Sequence, residues 1–170
     1  PCVLPNALQS DPPLKQVVAR TLELGVRGTV GGVRWNASAF STRNRDDILF
    51  ISNALAAGYF INFGRTQRQG LELDASGRFG SVDWSLGYSH LRATYESPAC
   101  IVSDSNSTAE TSANCLGADE IEVRPGDRIP GLPRHSVKLN IGVQALDKLR
   151  LGAQLAAHSS QFVRGNENNA

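Results

Sequence analysis

Six stretches of the chain alternate apolar and polar residues with a period of two, and this pattern constrains the fold most. Leu22, Leu24 and Val26, for example, alternate with polar residues or glycine. Such alternation is typical of β-strands that have one apolar and one polar face. The alternating stretches span residues 21–27, 33–39, 71–79, 82–89, 136–144 and 149–158. The sequence therefore predicts an all-β fold of about six long strands.

The predicted links between these strands alternate in length. Short turns are predicted near 29–32, 80–81 and 145–148, and long loops near 42–65, 96–134 and 159–170. Successive strands then run up and down, with all tight turns at one end of an antiparallel meander. Outer-membrane barrels show this asymmetry, with short periplasmic turns and longer extracellular loops. Strands of about ten residues also have the length that crosses a bilayer at a tilt.

A soluble β-sandwich, acting as a binding or adhesion module, is the alternative, because its strands also alternate. Sandwich strands are usually shorter, about five or six residues. Trp35, Phe79 and Trp84 lie on the apolar faces close to the predicted short turns. A row of aromatic side chains at one height is typical of a membrane-interface girdle, although each could also be a core residue. The combination favours the membrane.

Charged residues fall on the polar face of the predicted strands. In a barrel they would face the lumen and its plug; in a soluble sheet they would face water. Near the midplane of a bilayer, a basic residue facing lipid costs about 2–4 kcal/mol. These residues are Glu23, Arg27, Arg34, Glu72, Asp74, Arg78, Asp83, Lys138 and Arg150.

Composition excludes several other classes of function. The 17 Lys and Arg against 16 Asp and Glu give no basic excess of the kind that nucleic-acid binding requires. No apolar run is long enough for a transmembrane helix. His90, His135 and His158 lie far apart, without cysteines or carboxylates at zinc-site spacing. No nucleophile elbow, phosphate-binding loop or dinucleotide fingerprint is present, so we predict no enzyme, no metal site and no cofactor.

Two of the three cysteines flank a polar stretch rich in Ser, Asn and Thr. Cys100 and Cys115 are therefore predicted to form a disulfide that closes a surface loop in an oxidising compartment. Two free thiols are the alternative. Cys2 has no evident partner.

Several segments, in this order, resemble the barrel of TonB-dependent outer-membrane receptors. Arg20 to Gly28 resembles a Glu-Leu-Gly-x-x-Gly strand of the family, and residues 36–48 resemble the next strand and its exit. Residues 62–73 resemble an Asn-x-Gly then Gly-x-Glu strand start. Residues 125–135 resemble the proline-rich approach to a late strand, and residues 161–169 resemble the following loop. The resemblance covers nearly the whole chain.

This resemblance implies a segment of a 22-stranded transmembrane barrel in the Gram-negative outer membrane, with the plug domain and TonB box absent from residues 1–170. It implies active uptake of a large, scarce ligand, with ferric siderophores the commonest class and TonB acting through the plug. A passive porin is the alternative. Outer-membrane lipid is the other implied partner. Ligand contacts are predicted on the long loops, at Tyr59, Phe60, Tyr95, Arg124 and Arg128.

Overall fold

The computed structural model describes most of the chain, and every described regular element is a β-strand. It describes residues 13–52, 58–103, 106–109, 114, 115, 117 and 119–170, with the backbone alone at 50–52, 58 and 59. No helix long and apolar enough to cross a membrane occurs among these residues. The strands are β1 (Val18–Val30), β2 (Val33–Ser52), β3 (Gly58–Phe79), β4 (Val82–Tyr95), β5 (Ala99–Val102), β6 (Glu120–Val123), β7 (His135–Leu146) and β8 (Leu149–His158).

Six of these strands form one antiparallel sheet in the order β1-β2-β3-β4-β7-β8. The predicted up-and-down meander is therefore confirmed. Its tight turns lie at Gly31-Gly32, Gly80-Ser81 and Asp147-Lys148, all at one end of the sheet. The short strands β5 and β6 pair with each other inside the connection from β4 to β7.

The prediction of a long loop over 42–65 is wrong, because β2 continues to Ser52 and β3 starts at Gly58. A β-bulge explains why the alternation was hidden. The register shifts on either side of Asp47, and Asp46 has a φ of 51°. Gly64, with a φ of 114°, pairs with Asp47 across the bulge. One extra residue reverses the facing of the side chains that follow, so the period-two pattern breaks although the strands continue.

The register places all the predicted polar-face charges on one side of the sheet. Glu72, for example, pairs with Ser38 and Ser89, and Asp74 pairs with Asn36 and Gly87. We call this side the polar face and the opposite side the apolar face. The charged residues on the polar face are Glu23, Arg27, Arg34, Glu72, Asp74, Arg78, Asp83, Lys138 and Arg150.

The apolar face is exposed along the sheet. Leu22 and Leu24 each retain 77% of their accessible surface, and Phe79 retains 84%. Among the described residues, no second layer packs on this face. A soluble sandwich requires a partner sheet there, so the structure disfavours that alternative.

Gly70 shows how closely two strands pack on the polar face. A Cβ atom there would lie 2.6 Å from the His90 carbonyl oxygen and 2.6 Å from the Phe40 ring. Phe40 pairs directly with Gly70 and covers it. An aromatic ring therefore lies on the polar face, because glycine leaves space for it.

The buried core lies at the loop end of the sheet. Its side chains come from the ends of β3 and β4 and from the β5–β6 hairpin, and they are Phe63, Tyr95, Ile101, Ile121 and Val123. Tyr95 pairs with Thr66, which pairs with Asn44 on the polar face. The hairpin therefore folds over the polar face, at the end opposite the tight turns. We call the described residues within 96–134, together with residues 159–170, the loop layer.

Candidate ligand-binding site at the loop end

The site is bounded by the loop end of the polar face and by the loop layer. Residues 126–129 return alongside the end of β4, where Arg128 forms an isolated antiparallel β-bridge with Thr94. Tyr95 N donates to the Asp127 carbonyl at 2.8 Å, and Gly126 N donates to the Tyr95 carbonyl at 2.8 Å. Ile129 N donates to the Ala93 carbonyl at 3.0 Å. The loop layer is therefore tied to the sheet through the backbone.

The β5–β6 hairpin is closed by a disulfide. Cys100 and Cys115 are bonded, with their Cα atoms 5.6 Å apart. Cys115 is buried, and Cys100 is exposed. Glu120 lies close to both sulfurs, but sulfurs joined to each other are not available as thiolate ligands for a metal. This cluster is structural.

The two parts of the loop layer are joined to each other largely through asparagine side chains. Asn169 Nδ2 donates to the Arg128 carbonyl at 3.0 Å, and Arg128 N donates to Asn169 Oδ1 at 2.5 Å. Ser103 Oγ and Asn106 Nδ2 both donate to the Gly165 carbonyl, at 2.7 and 2.8 Å. Two of the connections predicted as long loops are thus joined into one structure.

A polar cluster lies on the sheet wall below this layer, centred on Asp47. Its carboxylate accepts hydrogen bonds from Thr66 and from Asn44 Nδ2 (3.2 Å), and Arg68 Nη1 lies 3.2 Å away. Burial opposes ionisation of Asp47. The hydrogen bonds from Thr66 and Asn44 and the charge of Arg68 together outweigh it, so the pKa of Asp47 is lowered. The wall therefore holds a paired, largely buried carboxylate.

At the turn end of the polar face, Asp83 joins two basic residues of different hairpins. Its carboxylate oxygens lie 2.5 Å from Arg78 Nε and 2.7 Å from Arg150 Nη2. These ion pairs link β3 to β4 and β4 to β8. All three side chains are at least partly exposed, so solvent screens each pair and the pair contributes little to stability.

The structure places the five predicted ligand contacts in different environments. Tyr59 lies in β3, but its side chain is outside the described residues, and Phe60 is half-buried. Arg124 is exposed and lies 2.7 Å from Glu122, and this hydrogen bond raises the pKa of Arg124. Arg128 is half-buried, with its guanidinium 5.2 Å from the centre of the Phe162 ring. Each arginine therefore has a partner outside the predicted set.

The prediction for Tyr95 is wrong. Its side chain is 1% exposed, and its ring centre lies 4.8 Å from that of Phe63 in the buried core at the loop end of the sheet. Burial raises the pKa of its hydroxyl. The residue is the last of β4, where the hairpin covers the polar face. A ligand in the lumen cannot reach it in this arrangement.

Asp47, Arg68 and Phe162 are site residues that the sequence did not predict. Asp47 and Arg68 lie at the bulge and beside it, where the pattern was interpreted as a loop. The available signal in the sequence was a carboxylate and an arginine close to the point where the period-two alternation is interrupted. Phe162 contacts Arg128, which is 34 residues away in the chain, so no local pattern indicates that contact.

Comparisons with known proteins agree with this geometry. Residues 3–170 match the family model described as TonB dependent receptor-like, beta-barrel. The siderophore receptor PirA from Acinetobacter baumannii is similar over 91% of this chain, with a TM-score of 0.58 and 14% identity. The FrpB iron transporter from Neisseria meningitidis (F3-3 variant) is similar over 86%, with a TM-score of 0.51 and 19% identity. The chain spans 21% and 20% of their respective lengths.

Proposed function

Because the chain belongs to the TonB-dependent receptor family, in its β-barrel part, we propose that it helps to take up a ferric siderophore or a similarly large, scarce ligand. The protein is an outer-membrane receptor of Gram-negative bacteria. Its family comprises receptors and transporters rather than enzymes. In the proposal, TonB supplies the energy by acting on a plug domain inside the complete barrel.

The observation that carries the proposal is the loop layer folded over the polar face. This hairpin covers the loop end of the charged wall, so a ligand that approaches from that end would meet it first. The hairpin is also held by its own core and by the Cys100–Cys115 bond. A preformed surface of this kind favours selective binding, because less ordering is needed when the ligand arrives.

Arg124 and Arg128 are the proposed cationic contacts, with Tyr59 and Phe60 as aromatic ones. A guanidinium suits the carboxylate, hydroxamate or catecholate oxygens of an anionic iron chelate. Arg124 is the more accessible, with 69% of its side chain exposed. Arg128 is held in place by Phe162 and Asn169. The names of the two structural neighbours, a siderophore receptor and an iron transporter, support iron as the cargo.

The polar face is the proposed wall of the lumen and the surface that meets the plug. It carries both signs of charge, and Asp83 already forms ion pairs with both Arg78 and Arg150. Charged residues of both signs can form ion pairs with residues of a plug, and the wall then has little net charge. A surface of one sign would instead favour steady conduction of the opposite ion.

The proposal can be tested in cells that depend on the intact receptor for iron. Uptake of radioactive iron is measured for ferric catecholate, hydroxamate and citrate complexes, with and without TonB. We expect uptake of at least one class, lost when TonB is deleted or the proton gradient is collapsed. Uptake that persists without TonB, together with conductance of small solutes in liposomes, would favour the porin and overturn the proposal.

A double variant, Arg124→Ala with Arg128→Ala, then tests the residue assignment. We expect at least about tenfold weaker binding of the transported complex, because two charge-assisted contacts are lost. Lys148→Ala, in a tight turn at the other end of the sheet, is the matched control. Unchanged affinity in the double variant would remove these two arginines from the proposal while leaving TonB-dependent uptake intact.

A further inference from the structure

Arginines recur at one height on the apolar face. In three strands, an arginine lies ten residues from the apolar residue that borders the tight turn, and the even spacing puts both on the same face. The pairs are Arg20 with Val30 in β1, Arg43 with Val33 in β2, and Arg92 with Val82 in β4. The apolar face therefore ends in a cationic row toward the loop layer.

The height of this row corresponds to the edge of a bilayer. Ten residues of strand span about 33 Å, and a tilt of 35–45° reduces this to a height of roughly 25 Å. The lipid-facing apolar band of outer-membrane barrels is about 25 Å tall. With the tight turns at the periplasmic boundary, the arginine row lies at the head groups of the outer leaflet.

Arg45 and Arg65 also lie on the apolar face, and two pairs of arginines there directly face each other across neighbouring strands. Arg20 pairs with Arg43 in the β1–β2 register, and Arg45 pairs with Arg65 in the β2–β3 register. Like charges directly opposite each other are destabilising unless an anion lies between them. We call Arg20, Arg43, Arg45 and Arg65 the arginine patch.

The patch is not neutralised by the protein itself in the part of the chain that the structure describes. All four side chains are exposed, and the four ion pairs found there involve other arginines. Glu96 is the acidic residue that lines the same cleft as Arg43, Arg45 and Arg65. Its carboxylate accepts a 2.8 Å hydrogen bond from the Thr94 hydroxyl. Four positive charges against one carboxylate leave an excess that favours an external anion.

We propose that the arginine patch binds the phosphate groups of an anionic lipid in the outer leaflet. Guanidinium groups bind phosphate through two parallel hydrogen bonds, and paired arginines can bracket one phosphate. The apolar residues below the patch, such as Leu22 and Leu71, then contact the acyl chains of the same lipid. The apolar band thus matches the acyl chains of the lipid, and the arginine patch matches its phosphate groups.

The test uses the intact receptor, purified in a non-ionic detergent. Native mass spectrometry measures binding of a bis-phosphorylated outer-leaflet glycolipid and of its dephosphorylated form. The variant R20Q/R43Q/R45Q/R65Q removes the patch, and R27Q/R34Q removes two arginines of the polar face as the control. A variant with lysine at the same four positions keeps the charge but loses the bidentate geometry.

We expect the glutamine variant to bind the phosphorylated lipid at least about tenfold more weakly, because it loses four basic residues that attract anionic head groups. The lysine variant should fall between it and the wild type, and R27Q/R34Q should match the wild type. Wild-type binding that is equal for the dephosphorylated lipid would overturn the proposal, whether or not the glutamine variant folds. Complete displacement by millimolar inorganic phosphate would identify a free-phosphate site instead and also overturn it.

Discussion

The six-stranded sheet and the loop layer are stabilised in different ways. The sheet has side chains exposed on both faces, with Leu24 on one side and Glu23 on the other. The loop layer contributes Ile101, Ile121 and Val123 to the buried core, and the last two have no exposed surface. It also contains the disulfide.

This difference shows what each region requires from its surroundings. The sheet buries little surface of its own. In the proposed barrel, lipid covers its apolar face, and neighbouring strands pair with β1 and β8 at its edges. The loop layer removes apolar surface from water within the chain itself. We therefore expect mutations in the loop layer to act locally, and mutations on the apolar face to act through the bilayer.

The largest expected effect comes from Tyr95→Ala in the intact receptor. Removing a fully buried aromatic side chain costs about 3–5 kcal/mol. Hydrogen exchange should become faster at the amides of β5 and β6 and stay unchanged in β7 and β8. Tyr88→Ala, on the apolar face, is the matched control and should leave the loop layer protected. Equal protection of β5 and β6 in wild type and Tyr95→Ala would contradict a core at this position.

Leu24→Arg tests the opposite region. An arginine facing lipid near the midplane costs about 2–4 kcal/mol. Reversible unfolding in lipid vesicles measures this loss. Ser38→Arg, at a similar height on the polar face, is the control and should cost much less, because the proposal places that face toward the lumen. Similar losses for the two variants would show that the faces do not differ in environment.

Cys100→Ser with Cys115→Ser tests what the disulfide contributes to the loop layer. The bond closes a span of 15 residues, for which the chain-entropy model gives about 3 kcal/mol. Limited proteolysis should cut the loop layer faster in the variant, with the barrel left intact. The reduced wild type should behave like the variant. If wild type and variant are cut at the same rate, the disulfide does not hold the hairpin.

Asp47→Asn should give the smallest change, about 1–3 kcal/mol, because it weakens a half-buried hydrogen-bonded ion pair. The lowered pKa of Asp47 also predicts a pH dependence. Its contribution is fully present above the ordinary carboxyl pKa of 3.8 and is lost as the pH falls through the lowered folded-state value. Wild-type protection of this wall should therefore decrease in strong acid. In Asp47→Asn this decrease should be smaller; an equal decrease would exclude Asp47 as its source.

The sheet was predictable because each strand carries its own period-two signal. Leu22, Leu24 and Val26 indicate which side of the sheet is apolar without reference to any other strand. The extension of β2 and β3 was not predictable in this way, since the extra residue at Asp46 breaks the alternation. A pattern that depends on period two fails where the backbone inserts one residue.

The candidate site was less predictable, because its contacts join distant parts of the chain. Cys100 and Cys115 could be paired from their flanking residues. The burial of Tyr95 depends on Ile121 and Val123, which only the folded hairpin brings near. Arg128 could be proposed as a loop cation, but its contacts with Phe162 and Asn169 come from a different loop. Long-range packing of irregular segments has no local periodicity from which to infer it.

Probes at neighbouring positions 23 and 24 test most directly whether the two faces of the sheet lie in different environments. Single cysteines, E23C and L24C, are labelled with a small fluorophore in the intact receptor in vesicles, in a background with the other cysteines replaced. Brominated acyl chains should quench the probe at 24, and aqueous iodide should quench the probe at 23. Quenching of both probes mainly by iodide would contradict a sheet with one face toward lipid and the other toward the lumen.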